Sequence, residues 1–84
     1  MKYPIYSYRD LKVGYAPPQC DQSDQAAIRG FSFAINNHDS MMNFSPKDFD
    51  LYKVGIFDTE TGQIESCTPD MIASGVAVFC EVDK

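Results

Sequence analysis

The sequence contains little cysteine, and its arrangement does not form a disulfide framework. Its three cysteines (Cys20, Cys67 and Cys80) are an odd number and include no CxxC pair. This usage is typical of a protein kept in a reducing compartment such as the cytoplasm. Because Cys67 and Cys80 fall in segments that resemble strands, we expect both to be small buried hydrophobic residues.

The sequence also lacks the motifs of the common enzyme classes. The glycines are scattered and form no phosphate-binding loop. His38 is the only histidine, it has no neighbouring nucleophile motif, and the close ligand pairs that zinc sites favour are missing. The acidic residues between positions 48 and 60 do not have the spacing of a calcium loop. We therefore predict a non-enzymatic protein with no catalytic residue, no metal site and no cofactor.

Long apolar runs are absent as well. No run approaches the ~20 residues of a membrane-spanning helix. The opening MKYPIYSYRD has no long apolar core of the kind found in a signal peptide. We expect a protein that does not associate with membranes.

Positive charge is scarce and unevenly placed. The net charge is −5; residues 1–36 hold four basic and three acidic residues, and residues 37–84 hold three basic and nine acidic residues. An acidic chain gains little from the counterion release that drives ordinary binding to duplex DNA. Any contact with nucleic acid is therefore expected in the N-terminal half and is expected to depend on stacking, whereas the plain alternative is that acidity keeps a small protein soluble.

The 84 residues, 44% of them hydrophobic and 11 of them aromatic, predict a single globular domain over residues 1–84. A chain of this size buries a thin core. A homodimer that covers one more apolar face is therefore a further expectation.

Local patterns in the first half predict a hairpin followed by a helix. Alternation predicts a strand over 4–9 and a second over 12–16, with the two prolines at 17–18 closing the hairpin. Ser23 is expected to cap a helix that runs to Asn36 or Asn37, residues that tolerate left-handed geometry. An apolar stripe predicts the face that packs on the sheet, made of Ala27, Ile28, Phe31, Ala34 and Ile35.

The second half predicts another hairpin. Ser45 before Pro46 indicates one helical turn over 45–49, and 51–57 alternates like a strand. Asp58 to Gly62 is expected to reverse the chain, with Asp58 accepting backbone hydrogen bonds and Gly62 at positive φ. The strand that follows this turn is expected to end near Cys67. A short turn or helix over 70–73 and a last strand over 76–82 complete the pattern. We predict an α+β fold in which a small antiparallel or mixed sheet of about five strands, ββαββ plus a C-terminal strand, packs on one helix.

Aromatic and basic residues of the N-terminal half form the candidate binding surface. Rings interleaved with a few cations suit single-stranded nucleic acid, because bases stack on the rings and cations follow the phosphates. In the alternative interpretation, the first two tyrosines face the core with their hydroxyls at its rim, and Phe33 is a dimer contact or lies under the 38–44 loop. The candidate nucleic-acid-binding residues are Tyr6, Tyr8, Arg9, Lys12, Tyr15, Arg29 and Phe33.

The order of these segments resembles the small nonstructural protein of gokushovirus-type microviruses, which are single-stranded DNA phages. The resemblance is carried by IYSYRDLKVGY (5–15), AIRGFSFAINN (27–37), FSPKDFDLYKVGIFDTETGQIES (44–66) and PDMIASG (69–75). It implies a non-virion protein of the bacterial host cytoplasm that binds DNA and assists the switch from duplex replication to single-strand synthesis for packaging. It supplies no catalytic motif.

A second hypothesis is a protein–protein adaptor. In it the acidic hairpin face engages a basic patch on the phage replication initiator or on a host replication protein. The residues of that face are Asp50, Asp58, Glu60 and Glu65.

Overall fold

A computed structural model describes residues 1–80 of the chain. The fold is α+β: an antiparallel five-stranded sheet packs on one long helix, as the sequence predicts. The strands are β1 (Lys2–Asp10), β2 (Gly14–Tyr15), β3 (Gln19–Cys20), β4 (Phe49–Asp58) and β5 (Ile64–Ser74). The helices are α1 (Asp24–Asn36), α2 (Met41–Phe44) and α3 (Gly75–Val78), with a single 3-10 turn at Pro46–Asp48.

The sheet has the order β2-β1-β4-β5, and β3 pairs with the same edge of β1 as β2 does. The two prolines between β2 and β3 do not end this pairing, contrary to the prediction. They only interrupt it, because the Asp21 amide beyond them still donates to the Pro4 carbonyl at 3.1 Å. The edge strand of 12–16 expected from the sequence is therefore reduced to Gly14–Tyr15, and a second short piece, Gln19–Cys20, continues the edge after the prolines.

The turn between β4 and β5 forms as predicted. The Glu60 amide donates to the Asp58 carboxylate at 2.9 Å, and Gly62 has a φ of 76°. Hydrogen bonds from the turn's backbone lower the pKa of Asp58, because they stabilise its charged form. This turn fixes the register of the hairpin.

The core lies between α1 and one face of the sheet. Phe31, Ile35 and Leu51 are the largest fully buried side chains, and Ala27, Met42 and Tyr6 complete the buried cluster. The stripe predicted on the helix is thus the face that packs. Ser23 caps the helix by accepting from the Ala26 amide at 3.1 Å, also as predicted.

α1 ends at Asn36, as predicted, but not in left-handed geometry. Asn37 has a φ of −80°, and no residue other than glycine has a positive φ in the segment 1–80. The last carbonyls of α1 find other donors: the Asn43 side chain donates to the Ile35 carbonyl at 3.0 Å, and the Asn36 side chain donates to the Ser32 carbonyl at 2.8 Å. With these partners the terminal carbonyls need no left-handed residue.

The last predicted elements are wrong. Residues 70–73 continue β5 rather than forming a turn or helix, because β5 lies at the edge of the sheet, where Pro69 costs no ladder hydrogen bond. Residues 76–78 belong to the helical turn α3 rather than to a strand. Ser74 caps that turn by accepting from the Ala77 amide at 3.1 Å. The end of the predicted strand, at Val82, lies outside the described residues.

The prediction that Cys67 and Cys80 are buried is also wrong, since all three thiols are exposed. Cys67 lies where β5 bulges away from β4: the partners of Lys53 and Gly55 are Asp70 and Ser66, so three residues oppose one. This bulge breaks up the free edge of the sheet, which discourages pairing with another strand.

Candidate nucleic-acid interface

The seven residues predicted to bind nucleic acid do not form one surface. The structure divides them among four places: the layer between helix and sheet, the open face of the sheet, the turn after β1, and the solvent face of α1. The residues in the first place, Tyr6 and Tyr8, are buried and half-buried respectively.

Tyr6 and Tyr8 lie between α1 and the sheet. Tyr6 is 5% exposed, and the Tyr8 ring lies 5.4 Å from the Phe31 ring. Burial is the main reason why the pKa values of both hydroxyls are raised, and for Tyr6 a hydrogen bond to the Asp24 carboxylate adds to it. The prediction that these two rings form an open stacking platform is therefore wrong. The structure agrees with the alternative interpretation, in which both rings face the core.

Arg9 and Tyr15 meet on the opposite, open face of the sheet. Arg9 is next to Tyr8 along β1 and so points the other way, and its partner in the sheet is Tyr15. Its guanidinium lies 5.7 Å from the Tyr15 ring centroid and 5.9 Å from that of Tyr52. The two rings are themselves 5.5 Å apart in an edge-to-face arrangement. We call Arg9, Tyr15 and Tyr52 the open-face cluster.

The cation of the open-face cluster makes no ion pair, although its cross-strand neighbour on the same face is Asp50. Within the described part of the chain, no carboxylate lies within 4.0 Å of the Arg9 guanidinium. Lys12, in the turn after β1, pairs weakly with Asp48 at 3.8 Å, and its side chain is 78% exposed. Two cations are therefore available at this end of the sheet for a phosphate backbone.

Arg29 and Phe33 lie on the solvent face of α1. Phe33 is 74% exposed, which agrees with the prediction that it stays outside the core. Because the helix covers the other face of the sheet, these two residues are separated from the open-face cluster by the whole thickness of the fold. One flat strand of DNA cannot contact both groups directly.

Tyr52 is not among the binding residues predicted from the sequence. It follows Leu51 in β4, and Leu51 is 1% exposed, so alternation places Tyr52 on the open face. Alternation along the predicted strand places Leu51 and Tyr52 on opposite faces. It does not show which of the two faces the helix covers.

The remaining candidates do not assemble into a reactive site. His38 is exposed in the loop after α1. No group of three histidine, cysteine or carboxylate residues that could hold a metal ion occurs within residues 1–80. Over the same range, no helix has the length and apolar character needed to cross a bilayer.

Comparison with known proteins identifies a family. The family model described as Phage ORF5 protein matches residues 3–78, which include every strand and helix above except the first residue of β1. No curated protein and no solved structure matches the chain.

Proposed function

This chain belongs to the Phage ORF5 protein family, and from that premise we propose that it is a non-enzymatic protein that binds single-stranded DNA through the open face of its sheet. The open-face cluster is the observation that carries this proposal. It presents two tyrosine rings and one guanidinium that makes no ion pair within residues 1–80, on the face of the sheet opposite α1.

The chemistry of the cluster favours single strands over duplexes. An unpaired base can stack on a tyrosine ring or on the guanidinium plane, and each stacked base contributes about 1–3 kcal/mol. In a duplex the bases are already stacked, so a protein must rely on phosphate contacts and counterion release. A chain with a net charge of −5 is poorly suited to that mode.

Because the open face offers few cations, we predict a weak dependence of the binding constant on salt concentration. If Arg9 and Lys12 are the two groups that neutralise phosphates, the logarithm of the binding constant should fall with the logarithm of salt concentration at a slope of about −1.4. A protein that binds by charge alone through many phosphates has a far steeper slope.

A fluorescence anisotropy titration of a labelled thirty-mer at low salt tests the proposal. We expect saturable binding of the single strand, weaker binding of the matching duplex, and a salt slope near that of two phosphate contacts. Absence of binding to the single strand at low salt would remove the proposal. Stronger binding of the duplex would remove it as well.

The biological role follows from the resemblance to the gokushovirus-type nonstructural proteins. By covering the displaced or newly made single strand, the protein would assist the switch from duplex replication to single-strand synthesis for packaging. That work takes place in the cytoplasm of the bacterial host. A homodimer would double the number of open faces that one strand can follow and would raise the affinity through bivalency.

The acidic hairpin supports a second candidate function, an adaptor for a basic protein. Glu65 and Glu60 are exposed near the β4–β5 turn, and Glu60 pairs with the chain's amino group at 3.6 Å. A basic patch on the phage replication initiator or on a host replication protein would complement them. This candidate would be favoured if the unmodified chain captures either protein and the Glu60→Gln, Glu65→Gln double variant does not. The capture should be the same with and without DNA.

A further inference from the structure

A cleft of about 220 Å³ opens between the first half of α1 and the edge formed by β2 and β3. It lies on the helix side of the sheet, away from the open-face cluster. Its lining includes Tyr6, Tyr8, Pro17, Cys20, Asp21 and Gly30. No role assigned above uses it.

The walls of the cleft are mainly aromatic and apolar. Tyr6 and Tyr8 contribute their rings, and Gly30 leaves the helix side open, because a Cβ added there would have no atom within 4 Å. A glycine at this position therefore lowers the stability of the helix, although no neighbouring atom would clash with a side chain there. It keeps space that any larger residue would occupy.

The charge at the cleft is negative. Asp21 lines it, and its charge contributes to the raised pKa values of both Tyr6 and Tyr8, so its field reaches both hydroxyls. The neighbouring Asp24 is balanced by Lys53 at 3.7 Å. For Asp21, no basic side chain lies within 4.0 Å in the part of the chain that the structure describes.

We propose that this cleft binds the guanidinium group of an arginine side chain from a partner protein. Aromatic faces attract a flat cation, and a carboxylate at the rim can accept its N–H groups. The volume supports one side chain rather than a nucleotide, since sites for larger ligands measure roughly 300–1,000 Å³. The negative charge of Asp21 disfavours phosphate, so the cleft and the open-face cluster select ligands of opposite charge.

The test titrates the protein with Nα-acetyl-arginine amide and follows the ring resonances of Tyr6 and Tyr8 by NMR. Nα-acetyl-citrulline amide is the matched probe, because it keeps the shape and loses the charge. We expect saturable shifts with the arginine probe in the millimolar range and at least about tenfold weaker binding of citrulline, the factor that corresponds to one charge-assisted hydrogen bond of about 1.4 kcal/mol.

Two variants locate the site. Asp21→Asn should weaken binding of the arginine probe about tenfold, because it removes from the protein the same charge-assisted hydrogen bond that citrulline removes from the ligand. Gly30→Leu should abolish binding by filling the cleft, and its thermal unfolding curve shows whether the fold is kept. The equivalent change at an exposed position outside the cleft, Phe33→Leu, should leave binding unchanged.

A readout in the unmodified protein avoids dependence on any variant. Cys20 lines the cleft and Cys67 lies on β5 outside it, and both thiols are exposed. The arginine probe should slow alkylation of Cys20 by iodoacetamide and leave that of Cys67 unchanged. Equal binding of arginine and citrulline, or equal protection of both thiols, would overturn the proposal.

Discussion

The Tyr6 hydroxyl donates a hydrogen bond to the Asp24 carboxylate, which joins the middle of β1 to the first turn of α1. Lys53 of β4 lies 3.7 Å from the same carboxylate. Asp24 thus connects the helix to two neighbouring strands at the end where its positive dipole also favours an acid. This contact explains why the Tyr6 ring is buried although its hydroxyl is polar.

Replacing Tyr6 by phenylalanine should destabilise the fold without affecting DNA binding. The change removes a hydrogen bond to a charged group and keeps the ring in the core, so we expect the free energy of unfolding to fall by about 1.5 kcal/mol. Urea unfolding measures it. Tyr15→Phe is the matched control, because the Tyr15 hydroxyl has no hydrogen-bond partner within residues 1–80, and it should change stability by less than about 0.5 kcal/mol. Equal losses in the two variants would contradict this role of Asp24.

The raised pKa of Tyr6 predicts loss of stability at alkaline pH. Above the ordinary value of 10.0, the unfolded chain releases the Tyr6 proton while the folded protein keeps it. The unfolded state is then favoured, so the free energy of unfolding falls as pH rises above about 10. In Tyr6→Phe this fall should be shallower, and Tyr8, whose pKa is also raised, should account for part of what remains. Parallel curves for the two proteins, from urea unfolding at several pH values, would contradict the shift.

Two glycines predict opposite effects of the same substitution. A Cβ at Gly30 meets nothing within 4 Å, so Gly30→Ala should stabilise the helix by about 1 kcal/mol. A Cβ at Gly75 would lie 2.0 Å from the Pro46 carbonyl oxygen and 2.6 Å from that of Phe49. Both are backbone atoms, so Gly75→Ala should destabilise the protein by about 1–3 kcal/mol. Thermal or urea unfolding compares the two, and the same sign for both would show that α3 does not pack as described.

The elements that the sequence predicts well are those specified by local chemistry. Ser23 supplies the N-cap of α1, and Asp58 with Gly62 supplies the turn chemistry between β4 and β5. The strand before that turn, β4, carries the alternation predicted for 51–57. These signals act within a few residues, so no knowledge of the rest of the fold is needed to recognise them.

The errors come from tertiary context. Pro69 suggests a break, yet β5 continues through it because this strand has a free edge. Alternation in β1 shows that Tyr8 and Arg9 face opposite sides, but it does not show which side the helix covers. The candidate site was therefore placed partly on the wrong face: the structure has Tyr6 and Tyr8 on the helix side of the sheet and adds Tyr52 to the open face.

The most direct test of the proposed function compares two variants that each remove one outer ring. Tyr52→Ala takes a ring from the open-face cluster, and Phe33→Ala takes one from the solvent face of α1. Both are titrated against the labelled thirty-mer after unfolding curves establish that each variant is folded. We predict that Tyr52→Ala weakens single-strand binding by at least about fivefold, since one stacked base contributes about 1–3 kcal/mol, and that Phe33→Ala leaves it unchanged. Equal affinity of Tyr52→Ala and the unmodified protein would contradict the assignment of the open face as the DNA-binding surface.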